Sequence, residues 1–271
     1  MDVSSLNINT PDDSNCDYES TLIAESDGRP QDSIKRTIIA VNLKTKNNTL
    51  VNDSHWSNAT TMVVIDDIVY VVCGWIYTVT RNGWKRVSKE GTWGSSKGIS
   101  HDGKIYLVSR ASGKLFCWDP ATKKHFLVTK DLWKKCGCLF SFKNDLYVVT
   151  NNIFKINLEE GGFDQVTHDD MWSGYKDAIV WNNKIYAISS KTKSILCYDP
   201  SSKTSQIVES NEDVKTKRPM VVAGGTVLSF GGVIYELDFD NGGHQRYSKD
   251  DGYKRIKRAV YVPAEDSIWC L

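Results

Sequence analysis

Short runs of β-branched and aromatic residues recur along the chain, each set off by polar or glycine pairs. The runs are DDIVYVV (66–72), GKIYLVS (103–109), NDLYVVT (144–150), NKIYAIS (183–189) and GTVLSFG (225–231). Their length and composition predict strands, and no stretch sustains a period of about 3.6 residues. Before each run stands a pair suited to positive φ: Asp66 and Asp67, Asp102 and Gly103, Asn144 and Asp145, Asn182 and Asn183, Gly224 and Gly225. Such pairs predict tight hairpins, which make the strands on either side antiparallel neighbours. A second turn recurs further on, in WDPATKK, YDPSSKT, NLKTKNN, NLEEGGF and DFDNGGH, and joins a third strand to a fourth.

These meanders keep a common beat. DSHW, EGTW, KDLW and DDMW end at Trp56, Trp93, Trp133 and Trp172, and weaker members end at Val214 and Tyr253. The intervals are 37, 40, 39, 42 and 39 residues, and a strand residue (Tyr70, Tyr106, Tyr147, Tyr186, Leu228) follows each marker by 13 or 14. A four-stranded unit of this size cannot bury both faces alone, so the units must stack, and radial stacking gives a β-propeller. Five complete units occupy 57–93, 94–133, 134–172, 173–214 and 215–253. A sixth is assembled from both ends: 254–271 supplies a first and second strand, and 37–56 supplies the third and fourth. The expectation is an all-β, six-bladed propeller over 37–271 whose ring closes by pairing of N- and C-terminal strands, with 1–36 as a polar extension in which STLIAES could add a strand.

Two families resemble this pattern. Tyr198-Asp199-Pro200 with Lys203 and Thr204, and Trp118-Asp119-Pro120 with Thr122, are similar to the hairpins of kelch repeats, as are second strands of the GKIYLVS type. The kelch double glycine is matched at Gly231 and Gly232, and its fourth-strand Trp at Trp84. The run Trp172-Ser173-Gly174-Tyr175-Lys176 resembles propeller lectins of the tachylectin-2 type, and Trp93 with Lys97 matches it in part. The kelch resemblance implies a protein-interaction scaffold; the lectin resemblance implies carbohydrate bound between blades.

Composition narrows the classes. The 271 residues are 40% apolar and 25% charged with a net charge of +1, which is globular and unlike a polybasic phosphate-tracking surface. The strongest basic stretch is KDDGYKRIKR (249–258), at one blade junction, so nucleic acid is not the expected partner. There is no apolar run of about 20 residues and no signal-like start, which sets the expectation of a cytoplasmic protein with free thiols and no membrane contact. The five histidines are scattered, and neither a metal motif nor a nucleophile elbow accompanies them, so no cofactor, metal or catalytic residue is read.

Two sets of residues are candidates for binding. Lys97, Lys176, Arg218 and Lys257 each stand four residues after a marker, where the innermost strand begins, and would ring one channel mouth with positive charge. Trp56, Trp93, Trp133, Trp172 and Tyr175 could offer aromatic faces at the blade junctions, although a repeated Trp is also what a structural wedge requires. Function is therefore expected to be non-catalytic ligand binding. Carbohydrate at the blade edges is the first reading, and an acidic peptide on the basic mouth is the alternative. A catalytic site assembled from several blades is a third, less supported reading.

Overall fold

The computed structural model describes residues 37–52, 56, 58–89, 91, 93–94, 96–131, 133–189, 192–210, 219–241, 243–248, 253 and 256–271. The extension 1–36, the Val214 marker and Arg218 lie outside the described residues. In chain order, β1 (Ile38–Asn42) and β2 (Asn48–Asn52) form a hairpin. The first complete meander is β3 (Thr61–Ile65), β4 (Ile68–Cys73), β5 (Trp75–Thr80) and β6 (Gly83–Arg86). The second is β7 (Lys97–His101), β8 (Lys104–Val108), β9 (Leu115–Asp119) and β10 (Lys124–Thr129). The third is β11 (Cys138–Phe142), β12 (Asp145–Val149), β13 (Ile153–Ile156) and β14 (Phe163–Gln165). The fourth is β15 (Asp177–Trp181), β16 (Lys184–Ser189), β17 (Ser194–Asp199) and β18 (Thr204–Ser210). The fifth is β19 (Met220–Ala223), β20 (Thr226–Phe230), β21 (Ile234–Asp238) and β22 (Gly243–Arg246). Last come β23 (Ala259–Val262) and β24 (Ser267–Cys270).

The strands make six antiparallel four-stranded sheets, and the closing sheet runs β2-β1-β24-β23. Strands β3, β7, β11, β15, β19 and β23 lie side by side in that order, and β23 returns to β3. This is a six-bladed β-propeller, closed by β1 pairing with β24.

Local chemistry accounts for the blades. Asp66 and Asp67, Asp102 and Gly103, Asn182 and Asn183, and Gly224 and Gly225 all take positive φ, as a two-residue hairpin turn needs. The third blade departs from expectation by one residue. There Lys143 has φ 54°, and Phe142 faces Asp145, so Asp145 opens the strand instead of closing the turn. Its carboxylate pairs with Lys155 Nζ at 2.9 Å on the adjoining strand. The second recurrent turn is held by one device in five blades. Oδ1 of Asn42, Asp119, Asn157, Asp199 and Asp238 accepts the backbone N–H two residues on, at 2.8–3.1 Å.

Packing closes the ring. Along a strand successive side chains turn to opposite faces, so each blade feeds two junctions. On β16, Ile185 and Ala187 join the third-to-fourth junction, and Tyr186 and Ile188 the fourth-to-fifth. Each of the six junctions has its own apolar cluster.

The markers stitch these junctions. Backbone N–H groups of Trp93, Trp133, Trp172 and Tyr253 donate to carbonyls of Gly74, Gly113, Asn151 and Gly232, each just ahead of a third strand of the blade before. The carbonyls of Trp56, Trp93, Trp133, Trp172 and Tyr253 then accept from the residue three further on, which turns the chain toward the next innermost strand. The four Trp rings sit edge-on to the third and fourth strands of the following blade. Trp56 meets Tyr77 and Trp84, Trp93 meets Phe116 and His125, Trp133 meets Phe154 and Phe163, and Trp172 meets Tyr198.

The closing blade is latched to the first. Arg81 Nη2 lies 2.7 Å from Glu265 Oε2, which also accepts Trp269 Nε1–H at 3.1 Å. Trp172 is fully enclosed and its Nε1–H reaches Ser205 Oγ at 3.3 Å. Trp172→Ala should therefore cost about 3–5 kcal/mol in urea unfolding, as aromatic deletions in closed cores do. A loss under about 1 kcal/mol would mean the junction is not packed as described.

Candidate functional site

Each innermost strand is paired on one side only, so its axial edge presents unpaired backbone groups to a central channel. That channel has a volume of about 410 Å³ and is lined by all six innermost strands or the residue before them. Its wall is mixed, with Val63, Ile99, Leu139, Val221 and Val260 among the apolar lining residues and Thr61 and Ser100 among the polar ones. Among the described residues four charged ones line it: Lys97, Lys176, Arg258 and Asp177.

The cations do not share one register, and the backbone explains why. The N–H groups of Lys257 and Arg258 both donate to the Leu271 carbonyl, at 2.6 and 3.1 Å. Thr60, Gly137 and Lys176 likewise donate to the carbonyls of Val72, Val149 and Ile188, which face Thr61, Cys138 and Asp177 across the ladder. Two residues opposing one is a β-bulge. The second blade lacks it: Ser96 closes the turn from Trp93, and Lys97 itself faces Val108. A constant spacing of four from the marker thus selects a paired residue at Lys97 but a bulged one at Lys176 and Lys257. In the closing blade Arg258 lines the channel, whereas Lys257 is exposed and outside the lining.

At this mouth neighbouring blades are joined by polar contacts. Arg258 Nε donates to the Thr60 carbonyl at 2.6 Å and Nη1 to the Lys257 carbonyl at 3.0 Å. Thr61 Oγ1 donates to the Ser96 carbonyl at 3.2 Å, and Lys97 Nζ donates to the Gly137 carbonyl. Gly137 in turn lies against the Tyr175 carbonyl so closely that any Cβ would fall on it, which requires glycine. Asp177 Oδ2 accepts the Met220 N–H at 2.7 Å. Among the described residues four of the six junctions carry such a hydrogen bond, and the close approach of Gly137 to Tyr175 joins a fifth.

Lys97 is only 9% exposed. Burial holds its ammonium below the ordinary lysine range; the neighbouring thiols Cys136 and Cys138 oppose that shift, and the charges of Lys176 and Arg258 add to it. Burial raises both thiols, Cys136 to about 12, so neither is a thiolate near neutral pH. Lys176 is exposed at the same mouth.

The aromatic set lies elsewhere. Trp56, Trp93, Trp133 and Trp172 are 5% exposed or less, and Tyr175 is buried with its hydroxyl 2.8 Å from Ser194 Oγ. These rings fill junctions and present no open face. Sequence reading missed two features near the axis. One is Arg258 itself. The other is the buried His101, whose Nδ1 lies 2.7 Å from Ser141 Oγ of the next blade. Among the described residues no three His, Cys, Asp or Glu side chains gather as metal ligands would, and no helix is long and apolar enough to cross a membrane. No family model and no curated protein matches the chain.

Lys97 leaves a signature in stability. Its folded-state pKa lies below the unfolded value of 10.5, so the unfolded chain binds the proton more readily and protonation opposes folding. That contribution to stability should rise with pH above the folded value and level off near 10.5. Urea midpoints measured from neutral to alkaline pH should show the rise in the native protein and its absence in Lys97→Met. Parallel profiles for the two proteins would contradict it.

Proposed function

We propose that this propeller is a non-catalytic binding module whose basic channel mouth takes an acidic segment of a protein partner. One observation carries the reading: Lys97, Lys176 and Arg258 converge on a single channel lining that holds one carboxylate, Asp177, among the described residues. Like charges gathered at a partly dry opening focus the field and favour an anion there. A buried cation beside two others is costly unless something compensates it, and such an arrangement marks functional sites more often than structural ones. Two of the three cations are also preset in direction, because carbonyls of the blade rim hold them. An anion arriving there meets donors that need little reordering.

Of the two family resemblances, the kelch-like one accords with this reading. Carbohydrate binding between blades depends on aromatic faces open to a ligand, and the junction tryptophans are covered on both sides by strand residues. The raised thiols and the unconvergent histidines offer no catalytic group at the mouth.

A fluorescent glutamate-rich peptide serves as the probe. It should bind the native chain, weaken steeply as salt rises from about 0.05 to 0.5 M, and lose at least about tenfold in affinity with Lys176→Glu. Lys176 is exposed, so that variant keeps the fold. Binding that ignores both salt and Lys176→Glu would refute the proposal. A glycan array should stay blank, and a strong array signal would favour the lectin reading instead.

A further inference from the structure

The three cations of the lining, among the described residues, come from alternate blades. In the ring order β3, β7, β11, β15, β19, β23, Lys97 opens β7, Lys176 precedes β15, and Arg258 precedes β23. They therefore occupy every second blade. In a six-bladed ring that is a separation of about 120°, since successive blades turn by about 60°. The blades between contribute Thr61, Cys138 and Pro219 to the lining and no described cation. Building on the acidic-ligand reading, we propose that the mouth is a receptor for a phosphate monoester seated on the propeller axis, with one non-bridging oxygen facing each of the three cations.

Symmetry, charge and depth all favour that class over a carboxylate. A phosphoryl group presents three equivalent oxygens around one axis, which suits cations drawn from three alternate blades. A carboxylate is planar and has two. Among the described residues the lining carries three cations and one carboxylate, an excess of two positive charges, and a phosphate monoester near neutral pH carries close to two negative ones. Charge-assisted hydrogen bonds from lysine and arginine to phosphate oxygens are among the strong ones, and the guanidinium here is held in place through its Nε and Nη1. Below the mouth the wall turns to Ile99, Leu139, Val221 and Val260 and offers no further cation among the described residues, so the anion is held at the rim while its carrier extends toward solvent. A phosphorylated side chain of a partner fits that geometry.

Calorimetry with the full chain at constant ionic strength tests this with three probes: a phosphoserine peptide, the same peptide with glutamate at that position, and inorganic phosphate. The phosphoserine peptide should bind at least about tenfold more tightly than the glutamate peptide. Lys176→Met should erase that preference, and Arg258→Lys should weaken it. Lys184→Met, on an outer pair with Asp199, should leave it unchanged. Inorganic phosphate should compete with the peptide. If it binds as tightly as the peptide, the oxyanion site stands and its source is free phosphate. Equal affinity for the phosphoserine and glutamate peptides would overturn the phosphate assignment and leave the acidic-ligand reading intact. Absence of binding by all three at low salt would overturn both.

Discussion

A four-stranded meander has two apolar faces and no way to cover either by itself. Everything else in this chain follows from that shortage of cover. Each blade must lie against a neighbour on both sides, which in a finite chain forces a ring, and the ring must end where it began. Closing it with β1 and β2 from one terminus and β23 and β24 from the other places the seam inside a sheet, where an antiparallel ladder of four facing residue pairs holds it. The Arg81–Glu265–Trp269 latch then ties that composite blade to the first.

The same requirement decides where a ligand can act. Side chains on the blade faces are consumed by six junction clusters, and the marker tryptophans are among the largest members of four of them. Each sheet keeps two unpaired edges, and of these the axial edges of the innermost strands, with the bends leading into them, converge on one opening. At that rim Lys97 and Arg258 join neighbouring blades and also contribute charge to the opening, so in the proposed function one set of residues serves closure and recognition. This coupling separates the present site from a solvated rim of lysines, whose charges would carry no fixed direction.

The fold was legible because its determinants are local. Paired Asp, Asn and Gly residues mark tight turns wherever they stand, and Trp56, Trp93, Trp133 and Trp172 repeat because every junction needs the same wedge and backbone stitch. The carboxylates of Asp119 and Asp199 announce their turns in the same way. A further regularity was present but unread: Ser88, Thr167 and Ser248 stand five residues before their markers and accept the N–H of Ile76, Ile153 and Ile234. The site was less legible for one reason. Counting from a marker assumes a constant path to the innermost strand, and the bulges at Thr60, Gly137, Lys176 and Lys257 break that assumption while the second blade keeps it. In the closing blade this moves the channel cation from Lys257 to Arg258. Pairs such as Lys97 with the Gly137 carbonyl join residues of different blades, and no linear spacing encodes them.

The central claim is that acidic ligands are read by the axial rim and not by the blade faces. Lysine side-chain NMR on ¹³Cε-labelled protein locates binding directly. On addition of a glutamate-rich peptide the account predicts that the Lys97 and Lys176 signals shift first and together, while those of Lys104 and Lys184, which lie on second strands away from the mouth, stay in place. Shifts at Lys104 or Lys184 with Lys97 and Lys176 unmoved would contradict it.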